Sequence, residues 1–277
     1  MLHYLHSTAR LCTISSRLRH PNALPSSPHP RFILRFRTAY REKLQYLKDL
    51  GIKYTSTNPP SHETVDQILI IINYLKQSQG FCDSEIVKLA SCCPTLFSSD
   101  LDPTDISPVF EFLTADLAAS SEESRGLVLL CPHILFSDVE YCLRPTLIYL
   151  KNLGLKGLNL PTNLNAHLLN TKISKLEKKV KFLRNIGFGK EQAEKVCARL
   201  PAVFGYSIEN NLMPKFEYLV WGMGRSIAEL EEFPQYFGFS LRKRIVPRHL
   251  HLKQRGVRIS LKRMLLSGDQ KFYSKWK

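Results

Sequence analysis

The amino-acid sequence predicts an all-α fold, a curved α-solenoid built from tandem repeats of two helices each. Three observations support this prediction: a Pro-x-apolar-apolar motif recurs along the chain, a leucine-rich block follows each copy at a nearly fixed distance, and apolar residues inside the block recur every three or four positions. Self-similarity with a period of roughly 20–50 residues is typical of proteins whose units pack on their neighbours. No segment of useful length alternates apolar and polar residues as a half-buried strand does.

The recurring motif, here called the anchor, sets the period of the repeat. Successive copies are 38, 34, 35 and 33 residues apart, and one of them lacks the proline. A partial earlier unit at residues 40–51 brings the total to about six units between residues 41 and 260. The anchors begin at Pro94, Pro132, Ala166, Pro201 and Pro234.

The block after each anchor contains four columns of equivalent residues. The first apolar column consists of Ile106, Leu143, Leu176, Leu212 and Ile245. The proline column, two residues later, consists of Pro108, Pro145, Lys178, Pro214 and Pro247. The leucine column, five residues after that, consists of Leu113, Leu150, Leu183, Leu219 and Leu252. The closing column, four residues further on, consists of Leu117, Gly154, Gly187, Met223 and Gly256.

Each block predicts one helix, and the segment between a block and the next anchor predicts another. In Leu143–Gly154 the apolar residues form one stripe, and a glycine in the closing column can adopt the left-handed conformation that ends a helix. The other helix ends at the anchor proline, which cannot continue the hydrogen-bond ladder. Ser120 with Glu123, and Ser226 with Glu229, have the spacing of capping boxes.

The net charge of +15 is distributed unevenly along the chain. Residues 1–40 contain six basic residues and no acid, residues 41–170 contain 10 basic and 15 acidic residues, and residues 171–277 contain 23 and 9. Clustered Lys and Arg side chains gain free energy by releasing counterions from phosphates. The basic C-terminal part therefore predicts a polyanionic partner.

Residues 1–40 have the composition of an organelle transit peptide. They contain arginine but no lysine, and a proline-rich stretch that a helix cannot cross. We therefore expect a disordered leader at 1–40, a helical-repeat domain at 41–260 and a basic, aromatic tail at 261–277. No apolar run reaches the ~18–20 residues needed to span a bilayer, so no membrane insertion is expected.

Taken together, the motifs resemble those of the mitochondrial transcription termination factor (mTERF) family, in its land-plant organellar branch. The resemblance lies in tandem anchors, each followed by a Leu-x-Pro-x-x-x-x-Leu block and a closing glycine, as in Leu143–Gly154, Leu212–Leu219 and Ile245–Gly256. It covers roughly residues 40–260 and is most specific over residues 233–250.

This resemblance implies a left-handed superhelix shaped like a half-ring, which binds organellar double-stranded DNA or RNA along a basic concave path. It implies a non-catalytic role in organellar gene expression, through transcription termination or regulation, or transcript maturation. Short plant members are similar to plastid proteins, so the chloroplast (stroma or nucleoid) is the expected compartment, and the mitochondrion is the alternative. We expect a monomer, with organellar transcription or ribosome proteins as further partners. Ala166 and Lys178 depart from the family pattern, which leaves the geometry of that unit open.

The residue after the proline column is basic in the last three units. Because solenoid units repeat their orientation, this position predicts a ladder on one face that is suited to tracking phosphates. An ordinary solvated helix face is the alternative interpretation. This post-proline column consists of Val109, Thr146, Lys179, Lys215 and Arg248.

Two Lys/Arg clusters flank the predicted ladder. Six basic residues lie between positions 172 and 184 with Glu177 as the one acid, and nine lie between 242 and 263 with none. Such an excess is more than solubility requires, which favours phosphate contacts. The predicted nucleic-acid-binding residues are Arg144, Lys175, Lys178, Lys179, Lys215, Arg242, Arg244, Arg248, Lys253 and Arg255.

Aromatic residues interleave with the C-terminal cluster. We expect Phe237 and Phe239 to pack in the core, as anchor residues usually do. The tail residues Phe272–Trp276 have two interpretations: they stack on exposed bases, or they dock on the last repeat as a cap. Arg244 and Arg248, four residues apart, could also reach guanine edges.

No enzyme, cofactor or metal site is predicted. His249 and His251 lack carboxylate or Cys companions at metal-ligand spacing. The main alternative function is a protein scaffold that binds a basic partner through acids of residues 41–170, such as Asp138 and Glu140. A pentatricopeptide-type RNA reader has a similar period, but the anchor prolines and the variable spacing argue against it.

Overall fold

The computed structural model describes residues 30–52 and 60–277, and every regular element within these ranges is a helix. The chain divides into two units after Leu44, and the repeats lie in the second, residues 45–277. Residues 1–29 of the predicted leader lie outside the described residues, whereas residues 30–40 form the beginning of the first helix.

The α-helices alternate with short 3₁₀ and π-helical turns. The α-helices are α1 Pro30–Asp49, α2 His62–Asn73, α3 Asp83–Cys92, α4 Pro103–Glu111, α5 Ser121–Leu130, α6 Arg144–Asn152, α7 Asn163–Leu169, α8 Ile173–Asn185, α9 Lys190–Arg199, α10 Met213–Glu217, α11 Ala228–Glu232, α12 Val246–Gln254, α13 Leu261–Leu265 and α14 Asp269–Lys275. The 3₁₀ turns are Pro94–Phe97, Pro132–Phe136, Pro201–Gly205 and Pro234–Gly238. The π-helical turns are Tyr74–Ser78, Phe112–Asp116, Val139–Leu143, Ile208–Leu212, Tyr218–Gly222 and Leu241–Ile245.

Each of the four proline anchors forms a 3₁₀ turn directly after an α-helix. The proline has no N–H to continue the helix, so the chain tightens there. The turn places its third residue in the core: Leu96, Ile134, Val203 and Tyr236 are all fully buried. The degenerate anchor has no 3₁₀ turn, because Ala166 lies inside α7, where it is fully buried as well.

The proline column shapes the start of the block helices. In three units a π-helical turn precedes the proline, which is the second residue of α6, α10 and α12. A proline cannot donate to the carbonyl four residues before it, and a widened turn is one way in which the chain accommodates this loss. In the unit where Lys178 replaces the proline, α8 runs unbroken for 13 residues. This unit therefore keeps its block helix and lacks the π-helical turn.

The closing column predicts the left-handed residue that ends the block helix correctly in three units. In the other two units this residue lies one position later. Gly154, Gly187 and Gly256 have positive φ angles, as predicted. In the other two units the left-handed residues are Ala118 (φ 56°) and Gly224 (φ 58°), each one position after the predicted one. Both of these helices end in a π-helical turn, which takes up an additional residue.

The columns of the block helices form the core of the repeats. Every residue of the first apolar column and of the leucine column is buried. The capping box of α5 is also present, since Ser120 and Glu123 exchange backbone-to-side-chain hydrogen bonds. Glu229 instead pairs with Arg225 at 2.6 Å, so the second predicted capping box does not form. The predicted all-α helical-repeat fold is confirmed.

Candidate nucleic-acid interface

The post-proline column lies inside the protein. Thr146 and Arg248 are 0% exposed, Lys215 is 5% exposed and Lys179 is half-buried. The predicted solvent-facing ladder is therefore wrong for Lys215 and Arg248, because both side chains are buried within the repeats. The proposed contact of Arg248 with guanine edges is wrong for the same reason.

Helix geometry explains why this column is buried. Each of its residues is four positions before the leucine column and three positions after the first apolar column. Residues at spacings of three, four and seven share one face of an α-helix, so the post-proline column belongs to the core stripe. Val109, buried in an earlier unit, fills the same position with an apolar side chain. The sequence signal was thus present in the spacing to the leucines.

Lys215 joins its own unit to the anchor of the next. Its Nζ donates to the carbonyl oxygen of Phe237 at 2.6 Å and to Oδ1 of Asn211 at 2.7 Å. Nζ also lies over the Tyr206 ring, 5.6 Å from its centroid. Burial lowers the pKa of Lys215, because the charged form loses hydration. A buried ammonium with protein partners contributes to packing and is not available to phosphates.

Arg248 holds the C-terminal tail in the same way. Its guanidinium donates to the carbonyl oxygens of Met264 and Ser267, both at 2.7 Å, and to Oδ1 of Asp269 at 2.6 Å. The group also stacks over the buried ring of Phe272, 4.5 Å from its centroid. The tail is therefore folded as α13 and α14, and Phe272 docks on the last repeat as a cap.

Two further residues of the column bind carbonyls across a unit boundary. Lys179 donates to the carbonyl oxygen of Tyr206, which follows a 3₁₀ anchor. Thr146 donates to the carbonyl oxygen of Thr171 at 3.0 Å. In four successive units this position thus supplies a donor to the backbone of the following segment, and the side chain lengthens from Thr to Lys to Arg.

Arg144 lies in acidic surroundings. Its guanidinium pairs with Asp116 at 3.0 Å and also with Glu140. The hydrogen bonds that the guanidinium donates to Asp116 and Glu140 raise the pKa of Arg144 above its ordinary value. Arg144 lines a cleft of about 490 Å³ whose other charged residues are all acids: Asp105, Glu111, Asp116, Asp138 and Glu140. This charge balance disfavours a phosphate at Arg144.

The cations of α8 and of its N-cap residue, Lys172, remain on the surface. Lys172, Lys175, Lys178, Lys181 and Arg184 are all exposed. No ion pair within the described part of the chain involves any of them. These five side chains therefore keep their full charge available to an external anion.

A second exposed group extends from the last block to the end of the chain. Residues 241–277 contain twelve Lys and Arg residues and one acid, Asp269, which is paired with Arg248. Arg244 is half-buried over the Phe239 ring at 5.5 Å. Lys271 and Lys275 of α14 are exposed cations that the sequence prediction did not include. The exposed members that it did include are Arg242, Lys253 and Arg255.

Two clefts occupy equivalent places, between the ends of successive block helices. The α8 cleft, about 790 Å³, is lined by three cations, Lys181, Arg184 and Lys190, and by the acids Glu177 and Glu194. The α12 cleft, about 380 Å³, is lined by Arg225, His249, Lys253 and Arg258 and by no acid. The two clefts therefore differ in charge although they share a position in the repeat.

The aromatic and histidine residues of this region are mostly engaged within the protein. Phe237 is buried as predicted, and Phe239 stacks on Phe233 with ring centroids 6.2 Å apart. His251 contacts the Trp276 carbonyl at 2.6 Å, and His249 contacts the Tyr218 hydroxyl at 2.8 Å. Among the described residues, no group of three or more His, Cys, Asp or Glu side chains could hold a metal ion.

The geometry supports contact with a polyanion through the exposed Lys and Arg side chains. The exposed cations can bind phosphates, which position a protein on nucleic acid but carry no base sequence. None of the helices in the described ranges combines the length and the apolar character required to cross a membrane.

Comparison with known proteins agrees with the helical repeats. The family model named mTERF matches residues 131–273. Among curated proteins of Arabidopsis thaliana, the chain is 34% identical to the chloroplastic transcription termination factor MTERF2 over 99 residues, and 40% identical to MTERF5, also chloroplastic, over 83 residues. These matches cover 36% and 30% of the chain.

A longer match joins the chain to the chloroplastic transcription termination factor MTERF8 of Arabidopsis thaliana. The two are 24% identical over 243 residues, which covers 74% of the chain. The chain spans only part of each relative: 15% of MTERF2, 17% of MTERF5 and 48% of MTERF8.

Proposed function

The chain belongs to the mTERF family, and from this premise we propose that it binds organellar nucleic acid and regulates gene expression without catalysing a reaction. The mode that we propose is transcription termination or regulation, or transcript maturation, on double-stranded DNA or RNA. The relatives named above are chloroplastic transcription termination factors, which supports the chloroplast as the compartment and leaves the mitochondrion as the alternative.

One observation carries this proposal: the unpaired positive charge is exposed and is concentrated in α8 and in residues 241–277. Cations with close internal partners include those of the post-proline column, Arg144 and Arg225. Twelve basic residues against one acid is an excess that favours phosphates through counterion release. The positive charge that is available to phosphates therefore belongs to side chains that do not join one repeat to the next.

The proposed contact residues are chosen from the exposed cations of the two groups. From the sequence prediction they retain Lys175, Lys178, Arg242, Lys253 and Arg255, and they gain Lys181, Arg184, Lys271 and Lys275. Lys179 and Arg244 are half-buried, so we expect them to contribute less to phosphate binding than the exposed cations do. Arg144, Lys215 and Arg248 are left out, since carboxylates or backbone carbonyls already bind them.

A triple charge reversal tests this assignment. We expect Lys178→Glu, Arg242→Glu and Arg255→Glu together to weaken binding of a fluorescein-labelled duplex, measured by anisotropy over a salt series. For duplex DNA each lost phosphate contact reduces the slope of log affinity against log salt by about 0.9, so the slope should fall by about 2–3. The same measurement with an RNA duplex shows whether the affinity for DNA or the affinity for RNA depends more on these residues.

The matched control reverses three exposed lysines of the N-terminal part, Lys48, Lys88 and Lys156, to Glu. Both triple variants change the net charge equally, so a general charge effect would weaken both. We expect the control to lose much less affinity and to keep the slope. Equal losses in both variants, or an unchanged slope in the first, would overturn the proposed contact set.

The acidic cleft around Arg144 favours a second candidate function, a scaffold for a basic protein partner. Its five acids leave a net negative surface in the N-terminal part of the repeats. Glu111→Lys with Glu140→Lys should then disrupt a protein complex and leave nucleic-acid affinity unchanged or higher. Co-purification of wild type and variant with organellar transcription or ribosome proteins distinguishes this function from the first.

A further inference from the structure

The α12 cleft lies where the Tyr218–Gly222 turn and α12 end side by side. Besides its charged residues it is lined by the loop Gly222–Gly224 and by apolar side chains, among them Leu252 and Met264. Its volume of about 380 Å³ is at the lower end of the range for small-ligand sites, roughly 300–1,000 Å³.

Two of the cationic side chains in this cleft, those of Lys253 and Arg258, are free of strong internal partners. The side chain of Lys253 is exposed, and its ammonium makes no hydrogen bond or ion pair with any described residue. Arg258 makes one long hydrogen bond, at 3.4 Å, to the carbonyl oxygen of Gly224. A guanidinium has five N–H donors, so most of those of Arg258 remain available. These two side chains converge on one cavity.

Arg225 forms the rigid wall of the cleft. It is 8% exposed, and its guanidinium donates to Glu229 at 2.6 Å and to the carbonyl oxygen of Ile259 at 2.6 Å. Its position is therefore fixed by the fold, while Lys253 and Arg258 can adjust to a ligand. Gly224 leaves the cleft open, since a Cβ added there would meet no atom within 4 Å.

His249 reports the positive potential of the cleft. Burial lowers its pKa first, and the charges of Lys253 and Arg225 lower it further. The imidazole is therefore neutral at neutral pH, and its Nδ1 contacts the Tyr218 hydroxyl. The α8 cleft lacks a comparable positive potential, because Glu177 and Glu194 offset its cations.

We propose that the α12 cleft is a phosphoryl-binding site, in which Lys253 and Arg258 bind the oxyanion against the wall formed by Arg225. Two sources could supply this group: a backbone phosphate of nucleic acid, which rests on the function proposed above, or a free phosphate ion. A tetrahedral oxyanion accepts several hydrogen bonds at once. No acid lines the cleft, and Glu229, which pairs with Arg225, lies outside the lining.

The experiment follows the imidazole of His249 by NMR over a pH titration. The resonance is assigned by its loss in His249→Gln, and spectra are recorded with inorganic phosphate and with sodium chloride at equal ionic strength. A bound anion offsets the positive potential, so phosphate should raise the His249 pKa by about one pH unit. An identical titration in phosphate and in chloride would overturn the proposal.

Variants separate a site from general ionic effects. In Lys253→Met with Arg258→Ala the response to phosphate should disappear, whereas the matched control Lys195→Met, on the exposed surface of α9, should keep it. Lys253→Met alone should also raise the His249 pKa in chloride, because it removes one of the causes that lower it. A response to phosphate of equal size in all variants contradicts the assignment.

A DNA duplex with hydroxyl ends distinguishes the two sources. If the duplex moves the His249 resonance as phosphate does, a backbone phosphate occupies the site. If only inorganic phosphate moves it, the site takes a free phosphate ion. A duplex that binds by anisotropy while neither ligand moves the resonance refutes this site and leaves the proposed function intact.

Discussion

The post-proline column and the exposed cations of the surface contain the same residue types but lie in opposite environments. Arg248 and Lys215 have internal carbonyl partners and almost no contact with solvent, whereas Lys178 and Arg255 are exposed. A count of basic residues therefore overstates the charge that can reach a nucleic acid. The column stabilises the junctions between units, and only the exposed group forms a candidate interface.

The largest expected effect that sharpens this comparison is that of Arg248→Ala. The change leaves the carbonyls of Met264 and Ser267 without a donor and opens a cavity beside Phe272. Unsatisfied buried carbonyls cost about 1–3 kcal/mol each, and the cavity adds to this, so the free energy of unfolding should fall by about 3–5 kcal/mol. Urea denaturation monitored by circular dichroism measures it.

The control for that prediction is Arg255→Ala, which removes the same side chain from the exposed surface. Its effect on the free energy of unfolding should stay within about 0.5 kcal/mol. The effects on nucleic-acid affinity should be the reverse. Arg255→Ala should bind more weakly, whereas Arg248→Ala, measured at a low temperature at which it is folded, should bind as the wild type does. Equal destabilisation by both variants would contradict the distinction between column and surface.

The next largest effect is expected for Lys215→Met, which keeps the length of the side chain and removes its donors. The Phe237 carbonyl loses its 2.6 Å hydrogen bond, while the cost of burying an ammonium is relieved. These terms oppose one another, so we expect a net loss of about 1–2 kcal/mol in the free energy of unfolding. Lys195→Met, exposed on α9, is the matched control and should show no measurable loss.

The sequence predicted the register of the column correctly and its orientation incorrectly. Periodicity placed Lys179, Lys215 and Arg248 at equivalent positions, which the structure confirms. Their charge suggested solvent, yet the spacing of four residues to the leucine column placed them on the core face. Whether a core position tolerates a long cation depends on carbonyls of the following segment, up to 27 residues away in sequence, which local patterns do not contain.

The π-helical turns show a second limit of sequence analysis. The helices and anchors were predictable because proline and apolar spacing act locally. The one-residue shift of the closing position to Ala118 and Gly224 was not, since a π-helical turn has no residue signature of its own. In the same way, the pairing of Arg144 with Asp116 joins two residues that are 28 positions apart in sequence, so local patterns do not predict it.

A smaller effect is expected for Thr146→Val, which places in the column the residue type that Val109 already has in the preceding unit. The Thr171 carbonyl loses a 3.0 Å hydrogen bond. Because Thr171 is half-buried, water can replace the donor at this carbonyl. The free energy of unfolding should fall by about 1 kcal/mol or less. Thr114→Val, whose hydroxyl binds carbonyls of its own helix on the exposed side, is the control.

The smallest effect concerns the pH dependence of Asp269→Asn. Hydrogen bonding from Arg248 holds the pKa of Asp269 below its ordinary value of 3.8. A depressed carboxyl pKa contributes stability above the unfolded-state pKa, and this contribution is lost as the pH falls through the folded-state pKa. The wild type should therefore be slightly more stable than the variant at neutral pH, and the difference should decline below pH 3.8, as the pH falls through the lower folded-state pKa.

Paired urea denaturation curves of wild type and Asp269→Asn at several pH values measure this difference. The effect should be small because the carboxylate is mostly exposed and water screens the pair. In the Arg248→Ala background the difference should shrink, since of the two arginines that lower the Asp269 pKa only Arg244, which acts through its charge alone, remains. A difference of unchanged size in that background, or one that grows as the pH falls, would show that Asp269 does not act through Arg248.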